Sequence, residues 1–153
     1  MRRLILFLCM MLFGAARHAE AATGSVIKVL PQLLDLKGRQ TLSPSLFERD
    51  AYQFYLREHT NEVSGMRFAI QWQASGPAFE PMKLRLEMRG SARGDFPTQS
   101  TLECEIKPRG WLSHWTYLPV LGEDFKKVGR ISAWRATIWE GDRMVSEQKS
   151  FLW

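Results

Sequence analysis

The chain has 153 residues, of which 45% are hydrophobic and 24% are charged, and its formal net charge is +5. This length supports one hydrophobic core, and the composition is that of a globular protein rather than a disordered one. So small a charge, with both signs mixed along the chain, argues against a nucleic-acid partner.

The N-terminal segment has the three parts of a secretory signal peptide. Arg2 and Arg3 give a positive start, an uncharged apolar run covers residues 4–16, and Ala19-Glu20-Ala21 offers the small-x-small cleavage pattern. The apolar run is shorter than the roughly 20 residues that a bilayer-spanning helix needs. We therefore expect residues 1–21 to be removed during export, and an uncleaved membrane anchor is the alternative.

Cleavage after Ala21 would leave residues 22–153 as a single domain, secreted or periplasmic and not integral to a membrane. It would lower the net charge from +5 to +3, because the segment carries three arginines and one glutamate. It would also remove Cys9, so Cys104 would have no partner for an intramolecular disulfide. Cys104 lies on the apolar side of its segment, which predicts a buried, unreactive thiol, and an intermolecular disulfide is the alternative.

Four segments alternate apolar and polar residues with the period of two that indicates half-buried strands. Charged residues occupy the opposite side of each segment, which is typical of antiparallel sheets with one solvated face. The apolar sides consist of Met66, Phe68, Ile70 and Trp72; Met82, Leu84, Leu86 and Met88; Leu102, Cys104 and Ile106; and Trp134, Ala136 and Ile138.

Three further segments are extended but less regular. In residues 26–36 the alternation changes phase at Pro31, which predicts an edge strand with a bulge or kink there. Residues 111–121 have large apolar side chains on both sides, which predicts a strand that switches sheets or is covered on both faces. After a hairpin turn at Gly141-Asp142, the polar residues 147–149 predict a bulge or an exposed edge in the last strand.

One short helix is predicted over about residues 46–59. Ser45 followed by Glu48 forms a capping box. Apolar residues at helical spacing predict the face that packs against the sheets, and polar residues predict the solvated face. The apolar set is Phe47, Ala51, Phe54 and Tyr55, and the polar set is Arg49, Gln53 and Arg57. Residues 122–129 predict a connection with one helical turn.

Seven to eight short strands, one helix and no parallel βαβ rhythm predict a mainly β protein, specifically an antiparallel β-sandwich. The layout is similar to that of immunoglobulin-like and fibronectin type III domains, including a tryptophan in an early central strand, Trp72. The paired cysteines of antibody domains are absent. The resemblance concerns the fold alone, and such a fold hosts many functions.

No catalytic, nucleotide or metal-binding motif occurs in the sequence, so we expect a non-enzymatic module without cofactor or metal. The module would have a binding or structural role, and its partner would be an unknown protein or a glycan of the cell envelope or extracellular space. A protein partner could add a strand at the edge formed by the last strand.

An aromatic cluster gives the more specific alternative, a carbohydrate-binding module. Trp111, His114 and Trp115 lie close together in the sequence, with Tyr117 beside them. Trp139 has the opposite parity from the core-facing residues of its strand, so we expect it to point outwards. Flat aromatic rings can stack on sugar rings, but large aromatic side chains also fill cores, and both interpretations stay open.

Several other features suggest functions that the sequence supports less. An enzyme with a dispersed site could use His114. Arg93-Gly94-Asp95 spells the tripeptide that integrins bind, but a three-residue match is weak. Glu103 and Glu105 share a strand face, where solvated charges are the simpler interpretation. Trp153 resembles the terminal aromatic of outer-membrane β-barrels, although the short chain and the predicted helix argue against that architecture.

Overall fold

Seven strands in two antiparallel sheets make up most of the computed structural model, which describes residues 22–92 and 95–153. The strands are β1 (Thr23–Asp35), β2 (Val63–Ser75), β3 (Met82–Ser91), β4 (Pro97–Ile106), β5 (Gly110–Leu121), β6 (Arg130–Glu140) and β7 (Arg143–Lys149). Sheet A has the order β1-β2-β5, and sheet B has the order β4-β3-β6-β7. The mainly β, sandwich-like architecture is therefore confirmed.

Two α-helices lie in the described part of the chain, where one was predicted. Helix α1 (Leu46–Glu58) lies between β1 and β2, and α2 (Gly122–Val128) forms the helical turn expected between β5 and β6. Neither helix has the length and hydropathy needed to cross a bilayer. The predicted signal peptide, residues 1–21, and Arg93 and Gly94 of the Arg93-Gly94-Asp95 tripeptide lie outside the described residues.

The apolar sides of the regular strands meet in one core between the sheets. Phe68 and Ile70 of β2, Leu84 of β3 and Ile138 of β6 are fully buried there. The faces predicted for β2, β3, β4 and β6 are confirmed, since their apolar residues belong to this cluster or pack against it. Cys104 is a free, half-buried cysteine, and burial raises the pKa of its thiol. The core therefore holds the sheets together without a disulfide.

The bulge in β1 lies at Ile27, and its prediction at Pro31 was wrong. The register shifts between Val26 and Lys28, whereas Pro31 pairs regularly with Phe68. The extra residue at Ile27 lets both Val26 and Val29 face the core, although they are three positions apart. The apparent phase change after Pro31 has another cause, because Leu34 is buried outside the core cluster to which Val29 belongs.

The two sheets approach each other along β1 and β7. The backbone N–H of Val26 donates to Ser146 Oγ over 3.0 Å. The bulge of β7 lies at Val145, which packs against the core, and its prediction at residues 147–149 was wrong because these residues pair regularly with β6. β1 thus lies against part of the outer edge of β7, which the sequence analysis had predicted as an exposed edge.

Helix α1 packs through the face opposite to the predicted one. Gln53 and Leu56 are buried, whereas Phe47 is 83% exposed and Phe54 is 62% exposed. The predicted N-cap is confirmed, since Ser45 Oγ accepts a hydrogen bond from the Glu48 backbone N–H. The predicted packing face of the helix was therefore wrong, even though its start was right.

The side-chain amide of Gln53 explains this orientation. Its Oε1 accepts from the Leu33 backbone N–H over 2.7 Å, and its Nε2 donates to the carbonyl oxygens of Leu33 and Gln40 over 2.9 and 2.8 Å. Leu33 lies in β1, the outer strand of sheet A, and buried backbone groups need hydrogen-bond partners. Gln53 supplies at Leu33 the bonds that a neighbouring strand would otherwise make.

The end of β1 is fixed by the carboxylate of Asp35. It accepts hydrogen bonds of 2.8 Å from the backbone N–H groups of Lys37 and Arg39, from Arg39 Nε and from the Tyr52 hydroxyl. Burial alone would raise the pKa of Asp35, but these bonds hold the pKa well below its ordinary value of 3.8. The charged carboxylate thus ties β1 to the following turn and to α1.

Replacing Gln53 tests the corrected helix orientation. We expect Gln53→Ala to lower the free energy of unfolding by about 1–3 kcal/mol, because it leaves buried backbone groups of β1 unpaired. The neighbouring Phe54→Ala is the control, and it should change stability by no more than about 0.5 kcal/mol because the ring is exposed. Urea denaturation measures both, and a greater loss in Phe54→Ala would restore the orientation predicted from periodicity.

The Asp35 carboxylate should make stability depend on pH. Its pKa is depressed in the folded state, so its stabilising effect is full above the unfolded-state pKa and is lost as the pH falls below it. Wild type should therefore exceed Asp35→Asn in unfolding free energy by a constant amount near neutral pH, and the difference should shrink from about pH 5 downwards. A difference that stays the same down to pH 3 in denaturation experiments would contradict this role.

Candidate functional site

Three large aromatic side chains of β5 are exposed to solvent. Trp111 is 81% exposed, Trp115 is 42% exposed and Tyr117 is 53% exposed. Isolated exposed apolar residues are common on protein surfaces, but adjoining aromatic rings on one sheet face are typical of binding surfaces. We call Trp111, Trp115 and Tyr117 the aromatic strip.

The alternation of β5 creates the strip. Leu118 and Val120 face the core, so Trp115 and Tyr117 face outwards. Trp111 lies beyond the register shift at residues 111–113, and its own exposure adds it to the strip. β5 stays in sheet A and pairs with β2 from His114 to Leu121 and again at Gly110, with a register shift that leaves residues 111–113 unpaired. The prediction that it switches sheets or is covered on both faces was therefore wrong. Large apolar residues appear on both sides because one side forms the core and the other forms the strip.

Polar side chains of β2 border the strip. Gln71 pairs with Trp115 in the sheet register, and its Nε2 donates to Ser113 Oγ over 2.9 Å. The guanidinium of Arg67 lies 4.7 Å from the centre of the Tyr117 ring, an attractive cation–π geometry. The surface thus combines flat apolar rings with hydrogen-bond donors and acceptors at their edges, a combination found in small-molecule sites.

His114 lies on the other face of β5. Its ring is 5.5 Å from that of the core residue Trp72, whose Nε1–H donates to Thr116 Oγ1 over 2.8 Å. The Nε2 atom of His114 is shielded from solvent, and in residues 22–92 and 95–153 it meets no hydrogen-bond partner. The structure therefore separates His114 from the aromatic strip by the thickness of the sheet.

Trp139 belongs to a different surface. It faces outwards, as predicted, but from sheet B, where the Arg85 guanidinium lies 4.9 Å from its ring centre and its Nε1–H donates to Thr137 Oγ1. Trp153 lies on the same face, within 4.1 Å of the Arg89 guanidinium. Of the four predicted ligand-binding residues, the structure brings together only Trp111 and Trp115.

The sequence placed Tyr117 in the aromatic cluster, but it did not connect Arg67 or Gln71 with that cluster. The signal was present, because residues 111, 115 and 117 share one parity and Arg67 and Gln71 lie on the solvated side of their segment. What the sequence lacked was the pairing of β2 with β5, which places those two sets side by side.

The shifted pKa values of the carboxylates on sheet B have structural explanations. The hydrogen bond from Arg85 holds the pKa of Glu103 below its ordinary value. Hydrogen bonds from Arg143 and from the Phe79 backbone N–H do the same for Glu140 beside the β6–β7 turn. Among the described residues, no group of three or more histidine, cysteine or acidic side chains is arranged to hold a metal ion.

Comparison of the chain with protein-family models, with curated proteins and with solved structures finds no match.

Collisional quenching of tryptophan fluorescence tests the placement of the strip. We expect Trp111→Phe to reduce the fraction of emission that acrylamide quenches, because the exposed indole is removed. Trp72→Phe is the matched control, and it should leave that fraction unchanged or raise it, because its indole is buried. Equal effects of the two substitutions would contradict the assigned faces of β5 and β2.

Proposed function

We propose that the protein is an exported, non-enzymatic binding module whose aromatic strip recognises carbohydrate. The observation that carries this proposal is the solvent exposure of Trp111, Trp115 and Tyr117 along one strand, β5. The C–H groups of a sugar ring pack on an aromatic face, and its hydroxyl groups need polar partners around that face. Gln71, Ser113 and Arg67 supply such partners.

The flatness of the surface favours an extended ligand over a small enclosed one. Trp115 and Tyr117 lie on the regular part of β5, where alternate residues are spaced by about 6.6 Å, and Trp111 lies beyond the register shift of the same strand. An oligosaccharide chain can span these rings, whereas a single sugar can contact only one or two of them. We therefore propose a polysaccharide of the cell envelope or the extracellular space as the ligand class.

Export and the finer fold assignment are part of the same proposal. Ala22 is buried and β1 begins at Thr23, so cleavage after Ala21 would leave the described fold intact. The sheets β1-β2-β5 and β4-β3-β6-β7 have a Greek-key order that supports a fibronectin type III-like sandwich. Such sandwiches commonly serve as non-catalytic modules, but the aromatic strip, and not the fold, carries the functional proposal.

A protein ligand is the second candidate, and the position of β5 favours it. β5 is the outer strand of sheet A, so a partner's extended segment could add to its edge and place side chains over the strip. The edge of β7, where strand addition was first expected, lies partly against β1. If backbone hydrogen bonds supply the affinity, removing the aromatic rings of the strip would leave the binding of such a partner largely unchanged.

Glycan-array screening of the purified protein, followed by calorimetry on the best ligand, tests the proposal. We expect binding that Trp115→Ala and Tyr117→Ala each weaken about tenfold, or about 1.4 kcal/mol. Trp139→Ala is the control, and it should bind like wild type because that ring lies on sheet B. Binding that survives loss of both strip residues, or no binding to any glycan, would contradict the proposal.

A further inference from the structure

The outer faces of the two sheets differ in how their cations are neutralised. On sheet B, Arg85 Nε lies 2.6 Å from Glu103, and Arg135 lies 2.7 Å from Glu87 and 3.7 Å from Glu147. Those two guanidinium groups are paired with carboxylates of neighbouring strands, whereas Arg89 and Lys149 on the same face take part in no ion pair among the described residues. Cross-strand pairs of opposite charge stabilise a sheet and leave little net field at its surface.

The outer face of sheet A carries cations without such carboxylates. Within the part of the chain that the structure describes, Lys28 of β1, Arg67 of β2 and Arg57 of α1 take part in no ion pair. Arg67 is held by a neutral partner, because its Nη2 donates to Gln32 Oε1 over 2.8 Å. Its charge is thus fixed in position beside the Tyr117 ring and remains uncompensated.

The sheet register aligns these cations with the aromatic strip. One row across sheet A runs from Lys28 through Gln71 to Trp115. Another row runs from Gln32 through Arg67 to Pro119. Since neighbouring strands are about 4.8 Å apart, a ligand stacked on β5 reaches β1 within about 10 Å.

A groove between β1 and α1 extends the same surface. Leu30, Pro31 and Gln32 form its β1 wall, and four residues of α1 form the other wall: Arg49, Asp50, Gln53 and Arg57. Arg49 is paired with Asp50 over 3.0 Å, so Arg57 is the wall's available cation. A path with aromatic rings at one side and uncompensated positive charge along its length therefore crosses sheet A from β5 to α1.

We infer that the ligand of this path is an acidic polysaccharide, and this inference rests on the proposed function. Its sugar rings would stack on Trp115 and Tyr117, and its anionic groups would meet Lys28, Arg67 and Arg57. Charge complementarity of this kind directs a ligand to one face and rejects neutral or cationic competitors. Carboxylates of uronic acids and sulfate esters share this chemistry.

Matched polymer pairs distinguish the charge requirement from sugar binding itself. The purified protein would be titrated by calorimetry with polygalacturonate and its carboxyl-reduced neutral form, and with dextran sulfate and dextran. We expect at least one acidic polymer to bind about tenfold or more tightly than its neutral partner, with an affinity that falls as salt is raised. The pair that shows the difference identifies carboxylate or sulfate as the recognised group.

Variants that each remove one positive charge test whether the cations of sheet A and α1 bind the acidic groups of the polymer. Arg57→Gln and Arg67→Gln should each weaken binding of the acidic polymer about threefold to tenfold and leave any binding of the neutral polymer unchanged. Lys149→Gln removes the same charge from the exposed outer face of sheet B, so it controls for net charge and should bind like wild type.

The outcomes separate the two proposals. Equal affinity for acidic and neutral polymers that is lost in Trp115→Ala would overturn the acidic ligand and leave carbohydrate recognition standing. Binding to none of the polymers or arrayed glycans would overturn carbohydrate recognition itself. Equal weakening by Lys149→Gln and Arg57→Gln, or equal affinity for single-stranded DNA of similar charge density, would reduce the effect to general polyanion attraction and also overturn the inference.

Discussion

The structure depends on one constraint, which is that every second side chain of the central strands is buried between two sheets without a covalent link. Phe68, Ile70, Leu84 and Ile138 lie in that interior, and Cys104 at its margin stays a free thiol. Burial of this kind stabilises the fold by about 25 cal/mol per Å² of apolar surface, so polar substitutions in the interior would lower the free energy of unfolding. The outer faces do not have to be apolar, and the two sheets carry different side chains there.

The outer faces of the two sheets differ in how their exposed side chains interact. On sheet B, exposed side chains contact one another. Arginines form ion pairs with glutamates, and arginines also lie over the rings of Trp139 and Trp153. Sheet A leaves Trp115 and Tyr117 open, and its Arg67 is held by an amide and not by a carboxylate. Stability explains the arrangement on sheet B, since its groups satisfy each other. On sheet A, Arg67 donates to Gln32 and lies over the Tyr117 ring, but no carboxylate of the described residues neutralises its charge. A ligand explains this charge and the exposed rings beside it.

Much of the fold could be predicted from alternation, because burial of one strand face leaves a direct mark in the sequence. The faces of β2 and β3 followed from it, whereas the face of α1 did not. Gln53 is buried because its amide bonds the backbone of β1, and a hydrogen bond between distant segments leaves no periodic signal. The prediction of the ligand-binding site failed for a similar reason. Trp111 and Trp139 are both tryptophans of predicted strands, but only the strand order shows that they lie on different sheets.

The most direct test is to follow the six indole N–H signals of the tryptophans by NMR while an acidic polysaccharide is added. If the ligand lies on the outer face of sheet A, the signals of Trp111 and Trp115 shift first and saturate together. Those of Trp72 in the core and of Trp139 and Trp153 on sheet B stay in place. Shifts led by Trp139 and Trp153, or spread evenly over all six signals, would contradict the assignment of the ligand to the outer face of sheet A.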